Sequence, residues 1–138
     1  MEKKNRPLQA ANSDTTPTTS TVQPFKRTPK KHRARVYMLR TGVEGWTEND
    51  ILRYCRLSSG RNYATELIRL LDINLERIQE RNPDGIGAHL RYRFVSRGDV
   101  LRVIQLVNRN AAAAGYQGLS QPEIADILNL YPDNLTAA

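Results

Sequence analysis

Polar and cationic side chains recur along one side of a helical stretch in the middle of the chain. Arg61, Thr65 and Arg69 are spaced four residues apart, so a helix places them in one row, with Asn62 beside it. In the major groove of DNA, arginine pairs well with guanine and asparagine with adenine. The row therefore predicts DNA contacts by Arg61, Asn62, Thr65 and Arg69. The alternative is a solvated helix face, which Glu66 on the same side favours because its charge repels phosphate.

A basic segment precedes the first predicted helix. Its cations are Lys26, Arg27, Lys30, Lys31, Arg33 and Arg35, and no acidic residue occurs from residue 15 to residue 43. Residues 1–35 hold nine basic and two acidic residues, whereas residues 36–138 hold twelve of each, so the first 35 residues carry the whole net charge of +7. That charge favours an anionic polymer as partner, because binding releases condensed counterions. A solubilising tail is the alternative, and charge alone does not separate DNA from RNA.

A predicted β-hairpin carries further arginines. Leu90, Tyr92 and Phe94 alternate with Arg91 and Arg93, as in a strand with one apolar face. The turn sequence Asn-Pro-Asp-Gly-Ile-Gly at 82–87 joins this run to an earlier apolar run at 73–78. We predict phosphate contacts from the arginines of the hairpin, which are Arg77, Arg81, Arg91 and Arg93.

Three short helices are predicted before the hairpin, over about 32–41, 47–57 and 58–71. Thr47 is suited to cap the second helix, and Asp50 at its third position makes a near capping box. The third helix carries the polar row, and its opposite side forms one apolar stripe of Ala64, Leu67, Ile68 and Leu71. Trp46 is predicted as a core anchor, with stacking on a ligand as the alternative. Tyr54 and Tyr63 are predicted at the edge of the core, with stacking or hydrogen bonding as the alternative.

Two further helices are predicted after the hairpin. One runs from residue 97 to about Ala114, with Gly115 as its C-cap, and the other begins at Ser120 with Glu123 completing a capping box. The predicted fold is mainly α with a small β-hairpin, that is, a winged helix-turn-helix followed by two C-terminal helices. The predicted divisions are a basic arm over 1–31 that is disordered at 8–24, a winged helix-turn-helix domain over 32–96, and a helical extension over 97–138.

The stretch from Thr47 to Phe94 resembles the small winged helix-turn-helix proteins that are common in bacteriophages and prophages. The matching positions are Arg61, Leu67, Ile68, Leu71, Ile73, Ile78 and Tyr92-Arg93-Phe94. The sequence departs from that family's pattern after the third helix, where Asp72 and Asn74 stand in place of a basic, glycine-containing turn. The resemblance covers about a third of the chain and implies a DNA-binding or regulatory role in a phage context.

The sequence lacks the residue patterns of an enzyme. Cys55 is the sole cysteine, which excludes a disulfide framework and a cysteine-based zinc site, and His32 and His89 lack partners for a metal. No Ser-His-Asp order, paired carboxylate cluster or phosphate-binding glycine loop occurs. We therefore predict no catalytic residues, no metal and no cofactor. The absence of a signal peptide and of a long apolar run predicts a cytoplasmic protein without a membrane partner.

Three functions stay open at this point. The first is a sequence-specific DNA-binding protein of the phage regulator type, with double-stranded DNA as its partner. Its C-terminal helices are predicted either to pack against the winged helix or to form a homodimer through residues 97–114. The second is a protein-interaction module that binds and inhibits a host protein. The third is an accessory factor of DNA replication or recombination. Strong salt dependence of nucleic-acid binding favours the first function, and salt-tolerant binding to one protein favours the second.

Overall fold

A computed structural model describes residues 25–132, which form a mixed α/β fold of five helices and a small antiparallel sheet. The helices are α1 (Lys30–Arg40), α2 (Glu48–Cys55), α3 (Gly60–Leu71), α4 (Arg97–Ala114) and α5 (Gln121–Leu128). The strands are β1 (Trp46–Thr47), β2 (Leu75–Arg81) and β3 (Ala88–Phe94), and a 3-10 turn at Gly42–Glu44 follows α1. No helix among these residues combines the length and the apolar composition needed to cross a membrane.

The sheet has the order β1-β3-β2, and both strand pairs are antiparallel. The predicted hairpin is confirmed as β2 and β3, which pair from Leu75 opposite Phe94 to Arg81 opposite Ala88. Strand β1 was not predicted. It comprises two residues that pair with Tyr92 and Arg91, and so short a strand shows no alternation that a sequence pattern could reveal.

Local capping bonds explain where two of the helices begin. The Thr47 hydroxyl accepts a hydrogen bond from the Asp50 N–H at 3.0 Å, and the Asp50 carboxylate accepts one from the Thr47 N–H at 3.0 Å. Ser120 and Glu123 make the same reciprocal pair at the start of α5. Both predicted capping boxes are therefore confirmed, and Gly115 ends α4 with a φ of 83° as the predicted C-cap.

One hydrophobic core joins the two halves of the chain. Its largest fully buried side chains include Trp46, Phe94 and Tyr131, and the Trp46 and Phe94 rings lie 5.2 Å apart. Helix α4 contributes buried side chains along its length, namely Val100, Val103, Ile104, Leu106, Val107 and Ala111. Ile127 of α5 belongs to the same core. The C-terminal helices are thus part of the folded unit that contains α3 and the hairpin.

The segment before α1 packs against the end of α4. The Lys26 N–H donates to the Gly115 carbonyl at 3.0 Å, and Lys26 forms a parallel bridge with Tyr116. Helix α1 begins at Lys30, two residues before its predicted start, so the predicted boundary of the arm at residue 31 falls inside this helix. The disordered stretch predicted at 8–24 lies outside the described residues.

A buried hydroxyl ties the C-terminal end of the described chain to α1. Tyr131 is 1% exposed, and its hydroxyl donates to the Leu39 carbonyl at 2.8 Å. We expect Tyr131→Phe to lower the free energy of unfolding by about 1–2 kcal/mol, because a buried acceptor loses its partner. Denaturant unfolding measures the change. Tyr54→Phe is the matched control, since the exposed Tyr54 should change stability by less than about 0.5 kcal/mol.

Candidate nucleic-acid interface

Helix α3 presents the predicted polar row to solvent. Arg61, Asn62, Thr65 and Arg69 are all exposed, while Ala64 and Leu67 are buried on the opposite side. The Thr65 hydroxyl donates to the Arg61 carbonyl at 3.0 Å, which holds this side chain along the helix. Ile68 and Leu71, predicted to complete the buried stripe, are only partly buried at its edge. The structure therefore brings all four predicted contact residues of α3 to one accessible side.

The turn between α2 and α3 fixes where that row points. Arg56 and Ser59 adopt left-handed φ values of 59° and 61°, which costs about 1–2 kcal/mol for each such residue. Leu57 between them is buried in the core. A Cβ atom on Gly60 would lie 3.1 Å from the Ile51 side chain, so glycine permits the close approach of α3 to α2. A tight, strained turn thus sets the two helices against each other.

The negative charge on α3 is compensated from α1. Glu66 accepts hydrogen bonds from Lys31 at 3.0 Å and from Arg35 at 2.8 Å. Burial opposes ionisation of Glu66, but the hydrogen bond and charge of Lys31 and the charge of Arg35 outweigh it and hold the pKa of this carboxyl below its usual value. The repulsion of phosphate that Glu66 implied in the sequence is therefore reduced by its partners.

Arg35 itself lies inside the protein. Its side chain is 3% exposed and is bonded to Glu66, so the predicted contact of Arg35 with nucleic acid is not supported. The remaining cations of the basic segment are exposed, and these are Lys26, Arg27, Lys30, Lys31 and Arg33. Lys31 faces α3 through its bond to Glu66, whereas Lys26 lies beside the end of α4. The structure thus distributes the basic segment over more than one surface.

The hairpin separates its arginines between its two faces. Residues opposite each other in an antiparallel pair point to the same face. Arg77 and Arg81 are opposite Tyr92 and Ala88, on the face that carries the buried Tyr92. Arg91 and Arg93 lie on the other face. There Arg91 pairs with Glu80 at 2.7 Å, and Arg93 pairs with Glu76.

These pairs make the two faces electrostatically different. Arg91 also lies 3.7 Å from Asp50, and its pKa is raised mainly by the hydrogen bond to Glu80. Its charge is thus compensated within the protein. Arg77 and Arg81 are exposed and form no salt bridge with another residue in 25–132. Of the hairpin arginines predicted to contact phosphate, Arg77 and Arg81 are the two without an acidic partner among residues 25–132, and the contacts of Arg91 and Arg93 stay predictions.

A groove of about 610 Å³ connects α3 with the hairpin. It is lined by Glu48 and Asn49 at the start of α2, by the turn residues Ser58 and Ser59, by Arg61, and by Ala88, His89, Leu90 and Tyr92 of β3. Arg77 and Arg81 do not line the groove, but they lie on β2 directly opposite Tyr92 and Ala88, which do. We call the groove with Arg61, Asn62, Thr65, Arg69, Arg77 and Arg81 the α3–hairpin surface.

Hydrogen bonds order the tip of the hairpin. The Asn82 side chain donates to the Ile86 carbonyl at 2.8 Å, and the Asp84 carboxylate accepts from the Ile86 N–H at 2.9 Å. His89 bridges Asn82 and Glu80 at 2.7 and 3.0 Å. Sequence reasoning considered His89 only as a metal ligand and missed this role. The alternation of His89 with Leu90 and Tyr92 was the signal that placed it on the polar face.

Comparison with known proteins identifies a family. A family model described as "Uncharacterised protein PM1773" matches residues 18–137. A protein of the same description from Pasteurella multocida (strain Pm70) is 29% identical over 85 residues, which are 62% of this chain and 60% of that relative. No solved structure matches the chain significantly. The resemblance to phage winged helix-turn-helix proteins stays a prediction. Because the family model spans all of the elements from α1 to α5, the chain belongs to the PM1773 family.

Proposed function

We propose that this protein binds double-stranded DNA as a winged helix-turn-helix protein. In this proposal α2 and α3 are the helix pair, α3 enters the major groove, and β2 and β3 form the wing that rides on the adjacent backbone. The order of elements supports the assignment, because three helices precede the hairpin and the short β1 joins the same sheet. The role as a phage-type regulator rests on the sequence resemblance, and an accessory factor of DNA replication or recombination is the alternative role for a DNA-binding protein.

The observation that carries the proposal is the α3–hairpin surface. It joins an exposed helix row to two wing arginines across one groove, and its cations Arg61, Arg69, Arg77 and Arg81 make no salt bridge with another described residue. An exposed helix fits the wide major groove of B-form DNA, whereas the major groove of A-form RNA is too narrow for it. Duplex DNA therefore fits this surface better than duplex RNA.

Selection from a random duplex library, followed by fluorescence anisotropy at several salt concentrations, tests the proposal. We expect Arg61→Ala/Arg69→Ala to weaken binding of the selected duplex about 100-fold, because each arginine contact contributes about 1–3 kcal/mol. The matched control is Arg102→Ala/Arg109→Ala, which removes the same formal charge from exposed positions of α4, where Arg102 has only a long contact of 3.9 Å with Asp99. Its effect should stay within about threefold, since it reports only net charge.

Two further variants separate the faces of the hairpin. Arg77→Ala/Arg81→Ala should weaken binding on all sequences and lower the salt slope by about one for each lost phosphate contact. Arg91→Ala should leave the slope unchanged, because its charge is compensated by Glu80. Equal losses from the α3 double variant and the α4 control would contradict the proposal, because binding would then depend on charge and not on this surface.

A protein partner is the second candidate, and one observation favours it. The groove of the α3–hairpin surface exposes apolar side chains, with Leu52 50% and Leu90 40% exposed. A host protein could bury them. The homodimer through 97–114 has less support, since most apolar residues of α4 are already buried within the chain. Tight binding to one protein that tolerates high salt, with no selected duplex, would favour this candidate.

A further inference from the structure

A second basic groove lies between α1 and α2. Its main part has a volume of about 540 Å³ and is lined by side chains of α1, of the end of α2 and of the loop before α5. Two of its lining residues, Thr28 and Arg33, also line a depression around Arg27 and Lys30. A third lining residue, Arg56, also lines a depression beside Arg53. We call these three neighbouring depressions together the α1–α2 groove. The row of α3 contributes no residue to it.

The charge of the α1–α2 groove is strongly positive. Five exposed cations line it, which are Arg27, Lys30, Arg33, Arg53 and Arg56. None of them forms a salt bridge with a residue in 25–132. The groove also contains Glu123, whose carboxylate is bonded to Arg40 at 3.4 Å and to the Ser120 N–H at 2.8 Å. Because this carboxylate is occupied, it does not offset the five cations, and an anionic ligand is favoured.

An exposed aromatic ring stands among these cations. Tyr54 is 62% exposed, which differs from its predicted place at the edge of the core. One face of its ring lies against Tyr37, with ring centroids 5.8 Å apart and planes 24° from parallel. Burial raises the pKa of Tyr37 to about 12, so the supporting ring stays neutral at ordinary pH. The Tyr54 ring is therefore packed on Tyr37 on one side and open to solvent on the other.

We propose that the α1–α2 groove binds single-stranded nucleic acid, with a base stacked on Tyr54 and the backbone phosphates on Arg33 and Arg56. Cations that follow a groove and an aromatic ring that stacks on bases are the two parts of such sites. An intact duplex keeps its base faces stacked on each other, so only an unpaired strand offers one to Tyr54. An acidic peptide would pair with the cations without stacking on the Tyr54 ring. This site adjoins the proposed duplex surface, because Asn49 and Leu52 of α2 line both. Tyr54, Arg33 and Arg56 line the α1–α2 groove and do not line the groove beside Arg61.

Fluorescence anisotropy of the full-length chain with a labelled 12-nucleotide oligothymidine tests the site, since this probe has no duplex form of its own. We expect Tyr54→Ala to weaken binding about tenfold, because stacking contributes about 1–3 kcal/mol per base. Tyr54→Phe keeps the ring and should stay within about threefold of the wild type. Arg33→Ala/Arg56→Ala should weaken binding and lower the salt slope. Arg102→Ala/Arg109→Ala is the charge-matched control and should change binding little.

The duplex measurements separate this site from the proposed function. If oligothymidine binding depends on Tyr54 while no selected duplex binds, the single-strand site stands and the proposed function fails. Equal binding by Tyr54→Ala and the wild type would overturn the single-strand site, as would the absence of oligothymidine binding. Parallel losses of oligothymidine and duplex binding in Arg61→Ala/Arg69→Ala would also overturn it, because both ligands would then share one surface.

Discussion

Replacement of Glu66 by alanine is expected to lower the free energy of unfolding by about 3 kcal/mol, because it leaves the charge of the buried Arg35 without its carboxylate. Arg35 is 3% exposed, and the Glu66 carboxylate lies 2.8 Å from its guanidinium. Burial lowers the pKa of Arg35 even beside Glu66, so this arginine bears a desolvation cost that the pair offsets. Urea unfolding monitored by circular dichroism measures the loss.

Two comparisons distinguish the buried contact from the exposed one. Lys31 reaches the same carboxylate from a position where 49% of its side chain is exposed, so Lys31→Ala should cost less than about 1 kcal/mol. Arg35→Met in the Glu66→Ala background should recover most of the lost stability, since the uncompensated buried charge is then gone. A Glu66→Ala protein as stable as the wild type would show that Arg35 does not need this partner.

The pH dependence of stability has a defined sign at this pair. Because the pKa of Glu66 is lower in the folded chain than its usual value of 4.5, the folded state holds this proton less tightly than the unfolded state. The stabilisation is therefore complete above that usual value and is lost as the pH falls through the folded-state pKa. Glu66→Gln should remove this part of the acid dependence, which urea titrations between pH 3 and pH 6 would reveal.

The parts of the fold that depend on residues close together in the sequence could be predicted from the sequence. The caps at Thr47 and Ser120 depend on residues three positions apart, and the polar row of α3 depends on helix geometry alone. The alternation of Arg91 and Arg93 with Tyr92 and Phe94 also depends on neighbouring positions, and the burial of the two aromatic rings places the arginines on the opposite face.

The parts that depend on long-range contacts could not be predicted in this way. Arg35 lies 31 residues before Glu66, and no periodicity connects the two positions. In the sequence the basic segment forms one run of cations, but in the fold Arg35 is buried. Arg33 lines the α1–α2 groove and not the groove beside Arg61. Tyr54 becomes a supported ring only because α1 brings Tyr37 against it. The candidate surfaces are thus set by how the helices pack.

Replacement of Gly45 by alanine should have a still larger effect. Gly45 has φ 74° and ψ −163°, a conformation that is essentially limited to glycine, and it leads directly into β1. A Cβ atom there would overlap the Tyr92 carbonyl oxygen and lie 2.8 Å from the Cβ of Arg93. Because this backbone belongs to the centre of the sheet, relief of the overlap requires β1 to separate from β3 and to withdraw Trp46 from the core.

We expect Gly45→Ala to lower the free energy of unfolding by more than about 3 kcal/mol, a large share of the roughly 5–15 kcal/mol typical of a folded domain. Gly85→Ala is the matched control: Gly85 also has a positive φ of 78°, but no atom lies within 4 Å of its added Cβ. It should cost about 1 kcal/mol, from backbone conformation alone. Thermal unfolding compares the two, and equal shifts in Tm would contradict the close packing of Gly45 on β3. A larger shift for Gly45→Ala isolates the cost of that contact, which holds β1 and Trp46 in the sheet that bears the hairpin.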